Sequence, residues 1–387
     1  MKIGIIGFGL RINVLLKILK ELDTGLEITA VTDIRNQEIK NALMAEGTAA
    51  GNISFFENTE DMLAHSQLDG IFIGTRCSLH TEMALKVIPS GIPLFLEKPI
   101  ATSLPDYERL RETCSRNPLS VDKILVSFPL RVTPLAKLAK EIIASGKIGT
   151  VEHVQAVNNV PYGGVYFHNW YRDENETGGL FLQKATHDFD YINDILGIKP
   201  VKICAMTSKQ IFKGDRPAKL MCKDCPEAGT CPESPRNLTL YSAEESTGEY
   251  CSFAADTGNE DSGSALILYK TGMHVSYSQN FFARKGAAAR GARFFGYKGT
   301  LEFDWYTDEV KVFMHHTPRT ETYKLDSAKL QHGGGDQALM QNFLQMMKGL
   351  ESPVAPVDAG LLSVLMCLKA KESALSGAFC DIGDTGI

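Results

Sequence analysis

Gly7, Phe8 and Gly9 stand where a β-rich run, Lys2–Ile6, gives way to a run with helical apolar spacing, Leu10–Leu22. A strand–turn–helix of this kind lets the backbone approach a pyrophosphate, while the helix N–H groups and macrodipole face its charge. Gly7 suits the tight turn and Gly9 avoids a side-chain clash with the ligand. Ile12 occupies the place of the third glycine of the usual pattern. Leu10 and Arg11 open the helix, with Arg11 either a phosphate contact or a solvated surface charge. Asp33 ends the next strand, Glu27–Thr32, at the distance where a carboxylate binds the adenosine ribose hydroxyls. That carboxylate would repel a 2′-phosphate and so favours NAD. Arg35, two residues on, leaves NADP open.

A second stretch with chemistry is Glu97-Lys98-Pro99, directly after the strand Pro93–Leu96. Pro99 lacks an N–H and biases Lys98 toward an extended backbone. The strand end aims Lys98 at the ligand edge of a sheet, where an ammonium can bond a substrate hydroxyl and join in proton transfer. Taken alone, an ordinary solvated lysine explains it as well. A third cluster, Cys222-x-x-Cys225-x5-Cys231, has the spacing of most of a zinc or iron–sulfur site. Its fourth ligand is not evident, with Cys251 or a histidine as candidates. Ordinary thiols or a redox pair fit equally, so a metal is left undetermined.

These residues need a frame. Through residue 125, strands at Lys2–Ile6, Glu27–Thr32, Gly70–Gly74, Pro93–Leu96 and Lys123–Val126 alternate with helices at Leu10–Leu22, Asn36–Glu46, Leu79–Pro89 and Pro105–Cys114. Such alternation gives a doubly wound parallel α/β sheet with its ligand edge at the strand C-termini. After the helix Pro134–Ser145, strands dominate: Val151–Asn158, Val201–Thr207, Ser264–Lys270, Met273–Asn280, Ala292–Tyr297 and Val310–His315. Hairpin-type turns lie at Lys270-Thr271-Gly272 and Tyr297-Lys298-Gly299-Thr300. One helix, Gly179–Leu196, interrupts this half, and two close the chain, Gly335–Lys348 and Asp358–Ser373. The expected division is therefore 1–125, a dinucleotide-binding domain, and 126–387, an α+β domain with a large, mostly antiparallel sheet, whose last helices pack back on the first domain. Residues 209–262 are the least regular part, of a length usually functional, inserted or mobile.

The chain has 387 residues, 44% hydrophobic and 22% charged, with net charge −6. Two domains is the natural prior at this length. Nothing suggests the basic footprint of a nucleic-acid binder, and no apolar run approaches the ~20 residues that span a bilayer. The N-terminus lacks the pattern of a signal peptide. Scattered cysteines such as Cys204 and Cys367 suit a reducing, cytoplasmic setting.

With these motifs together, the chain resembles the glucose–fructose oxidoreductase/inositol dehydrogenase (Gfo/Idh/MocA) family over essentially its whole length. Gly7-Phe8-Gly9 matches the family's phosphate loop and Glu97-Lys98-Pro99 its hallmark tripeptide. Gly74-Thr75-Arg76-Cys77-Ser78-Leu79-His80 looks like the strand-end segment whose Thr75 and His80 flank the cofactor. Gly178-Gly179 through His187-Asp188-Phe189-Asp190 looks like its glycine-led helix ending in His-x-x-Asp. The resemblance implies a Rossmann domain joined to an antiparallel sheet that forms homodimers or homotetramers. It departs at Gln183, where inositol dehydrogenases carry an aspartate; glutamine cannot take a hydroxyl proton. The Lys-Ala-Thr-His run resembles a subgroup with an upstream segment like His168-Asn169-Trp170-Tyr171-Arg172 and a downstream one like His332-Gly333-Gly334-Gly335-Asp336.

On this reading the cofactor takes the hydride, and the protein handles the proton. A neutral imidazole suits proton acceptance, which assigns His187 as general base. Lys98 polarises the oxygen, and Asp190, one turn on, is placed to orient His187 or to pair with a base nearby. Substrate contacts are expected from His168, Trp170, Arg172, Gln183, Lys184 and His332, although Gln183 and Lys184 point about 100° apart on a helix. Asp336 is a candidate helix N-cap. The expected activity is an NAD(P)-dependent oxidation of a sugar, inositol or related polyol. An NAD-dependent glycosidase working by transient oxidation and elimination, and a non-catalytic dinucleotide sensor, are the alternatives.

Overall fold

A computed structural model describes residues 1–45, 52–235, 237–238, 248–327 and 331–383. Contacts divide the chain into two units, residues 1–133 with 330–365, and residues 134–329 with 366–383.

In the first unit, the strands β1 (Lys2–Ile6), β2 (Glu27–Thr32), β3 (Ser54–Phe56), β4 (Gly70–Ile73), β5 (Leu94–Leu96) and β6 (Ile124–Val126) form one sheet in the order β3-β2-β1-β4-β5-β6. Every pairing in it is parallel. The helices α1 (Leu10–Leu22), α2 (Asn36–Ala45), α3 (Thr59–His65), α4 (His80–Val87), α5 (Leu104–Arg116) and α6 (Pro118–Val121) supply the crossovers and cover the sheet. Strands β1, β4 and β5 are buried on both faces, as a parallel sheet between helices requires. The strand order reverses beside β1, so the crevice at its C-terminal end is the topological switch point. β3 and α3 escaped the sequence reading. β3 has three residues and α3 seven, too few for a periodic signal; Asn58 nonetheless caps α3 by accepting from the Asp61 N–H.

The second unit carries a nine-stranded sheet. Its strands are β7 (Val151–Asn159), β8 (Pro200–Ser208), β9 (Ser262–Tyr269), β10 (His274–Asn280), β11 (Ala289–Gly296), β12 (Gly299–Asp304), β13 (Glu309–Met314), β14 (Thr320–Lys324) and β15 (Cys380–Asp381). Their order is β14-β13-β12-β11-β7-β10-β9-β8-β15, antiparallel except for β7 beside β10. Helices α7 (Pro134–Ala144), α8 (Val165–His168), α9 (Glu174–Thr177) and α10 (Leu180–Leu196) belong to this unit. α11 (Gly335–Met347) returns to the first unit, and α12 (Val357–Ser376) runs from one unit's residues into the other's. α10 lies on the sheet face formed by Tyr277 and Arg290. A 790 Å³ hollow lies on the sheet, lined by outward residues such as Met206, Leu266, Ser276 and Arg293.

Candidate functional site

Gly7 has φ +81°, and a Cβ there would sit 2.6 Å from the Thr75 backbone nitrogen, so the β1–α1 turn and the end of β4 approach as only glycine allows. Above Gly9 the space is open: a Cβ would meet only the Gly74 carbonyl, at 3.7 Å. Gly9 is the N-cap of α1, which has no side-chain cap and no acidic residue in its first turn. Its first amides are thus left for an anion, and the loop fits a pyrophosphate. The missing third glycine is replaced from across the sheet. Ile12 is buried against Gly74, where a Cβ would fall 2.1 Å from its Cγ1. The close helix–strand packing is kept with the glycine moved to the strand.

Asp33 is held to this loop. Its Oδ2 accepts from the Phe8 N–H at 2.8 Å and its Oδ1 from the Arg35 N–H at 2.8 Å. The Arg35 guanidinium, half exposed, lies over the same carboxylate at 3.3 Å. His80 is buried, with Nδ1 2.8 Å from the Pro99 carbonyl and Nε2 3.1 Å from that of Thr75. It joins the two strand-end segments, and both of its nitrogens face backbone. Burial pushes its pKa down, against those carbonyls. A neutral ring donates to one carbonyl only, and the shorter contact, to Pro99, is the better placed. Glu97 is also buried; it accepts from Arg11 Nε at 3.1 Å and from the Lys98 N–H at 3.3 Å. Lys98 is half-buried and lies two residues past the end of β5, before a cis Lys98–Pro99 bond.

Arg11 and Asp336 part from expectation. Arg11 bonds both oxygens of Asp336, each at 2.6 Å, and its side chain is 29% exposed. α11 begins at Gly335, and a Cβ there would meet the Pro129 carbonyl at 2.2 Å. Asp336 is therefore already inside the helix, not its cap, and is completely buried. His332 adopts φ 46° and places Nδ1 2.8 Å from Asp336 Oδ2, with its side chain 41% exposed. Burial raises the Asp336 carboxyl, but the charges and hydrogen bonds of His332 and Arg11 outweigh it and hold the group well below the usual carboxylate range. A depressed carboxylate pKa adds stability above the unfolded value, near 3.9, that is lost as pH falls toward the folded value. Asp336→Ala is therefore expected to cost about 3 kcal/mol at neutral pH and to flatten the stability curve below about pH 5. Urea melts from neutral to acid pH check this; parallel curves for the two chains would refute it.

In the second unit, α10 positions Gln183, Lys184, His187, Asp188 and Asp190, all buried. Gly178 and Gly179, with φ 74° and 106°, turn the chain into the helix. The Glu260 carboxylate accepts from the Phe181 N–H at its start. Asp188 ties the helix down: Asn158 Nδ2 donates at 2.7 Å, Tyr277 Oη at 2.8 Å and Arg290 Nε at 2.9 Å. Gln183 Nε2 donates to the Thr177 carbonyl at 3.0 Å. Lys184 Nζ donates to Tyr162 Oη at 2.8 Å. His187 lies one turn from Lys184 and Gln183, and Asp190 one turn beyond.

Two expected substrate contacts are framework instead. His168 is completely buried; Nδ1 faces the Tyr250 carbonyl and Nε2 lies 3.2 Å from Ser252 Oγ. Arg172, also buried, bonds Asp256 at 2.8 Å and Thr257 at 3.0 Å and lies over the Tyr250 ring. Both anchor the segment carrying Trp170, which is half-buried and stacks on Tyr171 with centroids 3.8 Å apart. Tyr162 and Tyr166 escaped the sequence reading. The available signal was Gly163, whose Cβ would fall 1.8 Å from the Phe281 carbonyl and which therefore marks a forced path for its neighbours. Among the described residues Cys222, Cys225, Cys231 and Cys251 form no disulfide, and no group of three or more His, Cys, Asp or Glu is arranged to hold a metal.

Comparison with known proteins matches residues 1–122 to a model described as an oxidoreductase family with an NAD-binding Rossmann fold, and residues 136–302 to a GFO/IDH/MocA C-terminal domain. The YteT protein of Bacillus subtilis (strain 168) is 26% identical over 366 residues, spanning 84% of this chain and 83% of that one. Inositol 2-dehydrogenase of Rhizobium meliloti (strain 1021) is 27% identical over 188 residues, 48% of this chain and 54% of its own. A levoglucosan dehydrogenase solved with NADH and levoglucosan superposes with a TM-score of 0.77 at 16% identity, over 99% of this chain and all of that one, a likeness of fold.

Proposed function

This chain belongs to the Gfo/Idh/MocA family of NAD-binding oxidoreductases, and from that premise we propose that it oxidises a CH–OH group of a sugar, inositol or related polyol. The observation that carries the reading is the loop at Gly7–Gly9: a turn closed by glycine on one side, open above Gly9, and followed by uncapped helix amides. Bound there, NAD supplies the hydride acceptor. The chain's own residues do the rest. Phe8, Gly9, Leu10 and the first turn of α1 cradle the pyrophosphate. Asp33 meets the ribose side, with Arg35 as the group that must yield if both carboxylate oxygens are to turn to hydroxyls. Thr75 and Lys98, at the ends of adjacent strands, face the reactive end. Lys98 bonds the substrate oxygen, and His187 takes the proton released as that oxygen becomes a carbonyl.

Named substrates support the class: one relative is an inositol 2-dehydrogenase and one structure of like fold a levoglucosan dehydrogenase. Purified protein with NAD is expected to form NADH on at least one member of a panel of hexoses, inositols and anhydrosugars, followed by absorbance. NADH-free turnover of aryl glycosides would replace this reading with transient oxidation and elimination. Nucleotide binding with no turnover on either panel would leave a sensor.

A further inference from the structure

Arg11 joins stretches that lie far apart in the sequence. It stands in the first turn of α1, two residues after Gly9. Its Nε donates to Glu97 Oε1 at 3.1 Å, and its two terminal nitrogens donate to the two oxygens of Asp336 at 2.6 Å each. One of them also reaches Ser127 Oγ at 3.4 Å. A guanidinium is a rigid planar fork, so one group sets the angles among all these partners. An ammonium, a point charge on a flexible stem, cannot do so.

The Asp336 side of the fork is its anchor. That carboxylate is completely buried in α11 and also lies 2.8 Å from His332 Nδ1. Two parallel charge-assisted bonds to it leave the guanidinium little freedom to turn. The other side leads to Lys98. Glu97 is 7% exposed, and its second oxygen accepts from the Lys98 N–H at 3.3 Å. The Glu97 N–H donates to the Ile73 carbonyl of β4 at 3.0 Å. Beyond Lys98, the Pro99 carbonyl lies 2.8 Å from His80 Nδ1, and the Ile100 carbonyl accepts from Thr81 Oγ1 at 2.8 Å. The backbone of Lys98 is thus held on both flanks, by α4 after it and by Arg11, through Glu97, before it.

We propose that Arg11 is a positioning residue for Lys98. It belongs to the helix that follows the phosphate loop, and it grips the residue next to the ammonium that meets the substrate oxygen. The bound nucleotide and the substrate are thereby kept in register by a side chain that acts through Glu97. This inference rests on the oxidoreductase reading above and deepens it.

The test is a double-variant cycle on kcat/KM, with NAD and the best polyol of the wild-type chain. Arg11→Lys keeps a charge opposite Asp336 but loses the fork. It is expected to lower kcat/KM by about 10–10²-fold, the effect of misplacing a reacting group by roughly 1 Å, with NADH affinity unchanged. In Lys98→Met the same change should have little further effect, because the group it positions is gone. Glu97→Gln, which keeps the shape of the link and removes its charge, should reproduce both the fall and the non-additivity. A residue that only supports the fold would lower kcat/KM equally in both backgrounds, so additive effects overturn the proposal. So does wild-type kcat/KM in Arg11→Lys, or a loss that lies in NADH affinity, which would make Arg11 a phosphate contact. Failure of the oxidoreductase reading shows itself separately, as a wild-type chain that forms no NADH on any polyol. There, or where Lys98→Met turns over too slowly to measure, carbon-13 NMR of the reductively methylated chains decides. The Lys98 signal, assigned in each background by its absence from the Lys98→Met partner, is expected to move in Arg11→Lys. An unmoved signal overturns the positioning role.

Discussion

Replacing Asp188 by alanine is expected to destabilise the second unit by about 3–5 kcal/mol, the cost of stranding one partner of a buried ion pair. The carboxylate is fully buried and collects donors from three strands, Asn158 of β7, Tyr277 of β10 and Arg290 of β11. Removing it leaves the Arg290 guanidinium in the interior. Burial works against that charge, and Asp188 together with Tyr162 and Tyr277 more than offsets it, so the guanidinium is held even more firmly protonated than usual. Arg290 cannot escape by losing its proton. Tyr277 and Asn158 lose an acceptor at the same time. Asp188→Asn keeps shape and one acceptor and is expected to fall between alanine and wild type. The double change Asp188→Leu with Arg290→Met removes both charges and should recover much of the loss. Urea melts of the four chains check this; a single alanine variant as stable as wild type would show that the helix is held by its apolar contacts alone.

The same network explains why part of the fold was legible and part was not. The first unit could be read because each of its long elements carries its own signal: apolar runs for buried parallel strands, 3.6-residue spacing for α1 and α5, and a glycine turn between β1 and α1. β12 was read only as a turn because Tyr297-Lys298-Gly299-Thr300 ends where the strand begins, and β14 carries polar residues on both faces at the sheet edge. The site followed the same rule. Glu97-Lys98-Pro99 and the His187 helix stand in contiguous motifs. The partners that fix them are distant in sequence: Arg11 finds Asp336, and Asp188 finds Arg290. Spacing cannot reveal such pairs. His168 and Arg172 misled because their residue types suit sugar binding, yet types do not tell a ligand contact from a buried anchor. Burial does, and it comes from Tyr250, Ser252 and Asp256, some eighty residues on.

His187→Ala is expected to lower kcat by about 10²–10⁴-fold, the usual contribution of a positioned acid–base group, while NADH affinity stays close to that of wild type. The phosphate loop is fixed by contacts internal to the first unit, Phe8 to Asp33 and Gly7 to Thr75, and His187 belongs to the second. An imidazole accepts a proton only when neutral, so the wild-type rate should fall on the acid side of its profile. That limb should be missing from the alanine variant, and added imidazole should return part of the lost rate. Lys98→Met separates the two roles. Losing a group that both holds and polarises the substrate oxygen raises KM as well as lowering kcat, whereas losing a base acts mainly on kcat. Steady-state kinetics across pH, with NADH binding followed by fluorescence, reads all of these. Full turnover by folded His187→Ala would move the base elsewhere on the chain. A Lys98→Met chain with unchanged KM and kcat would return that lysine to the solvated surface.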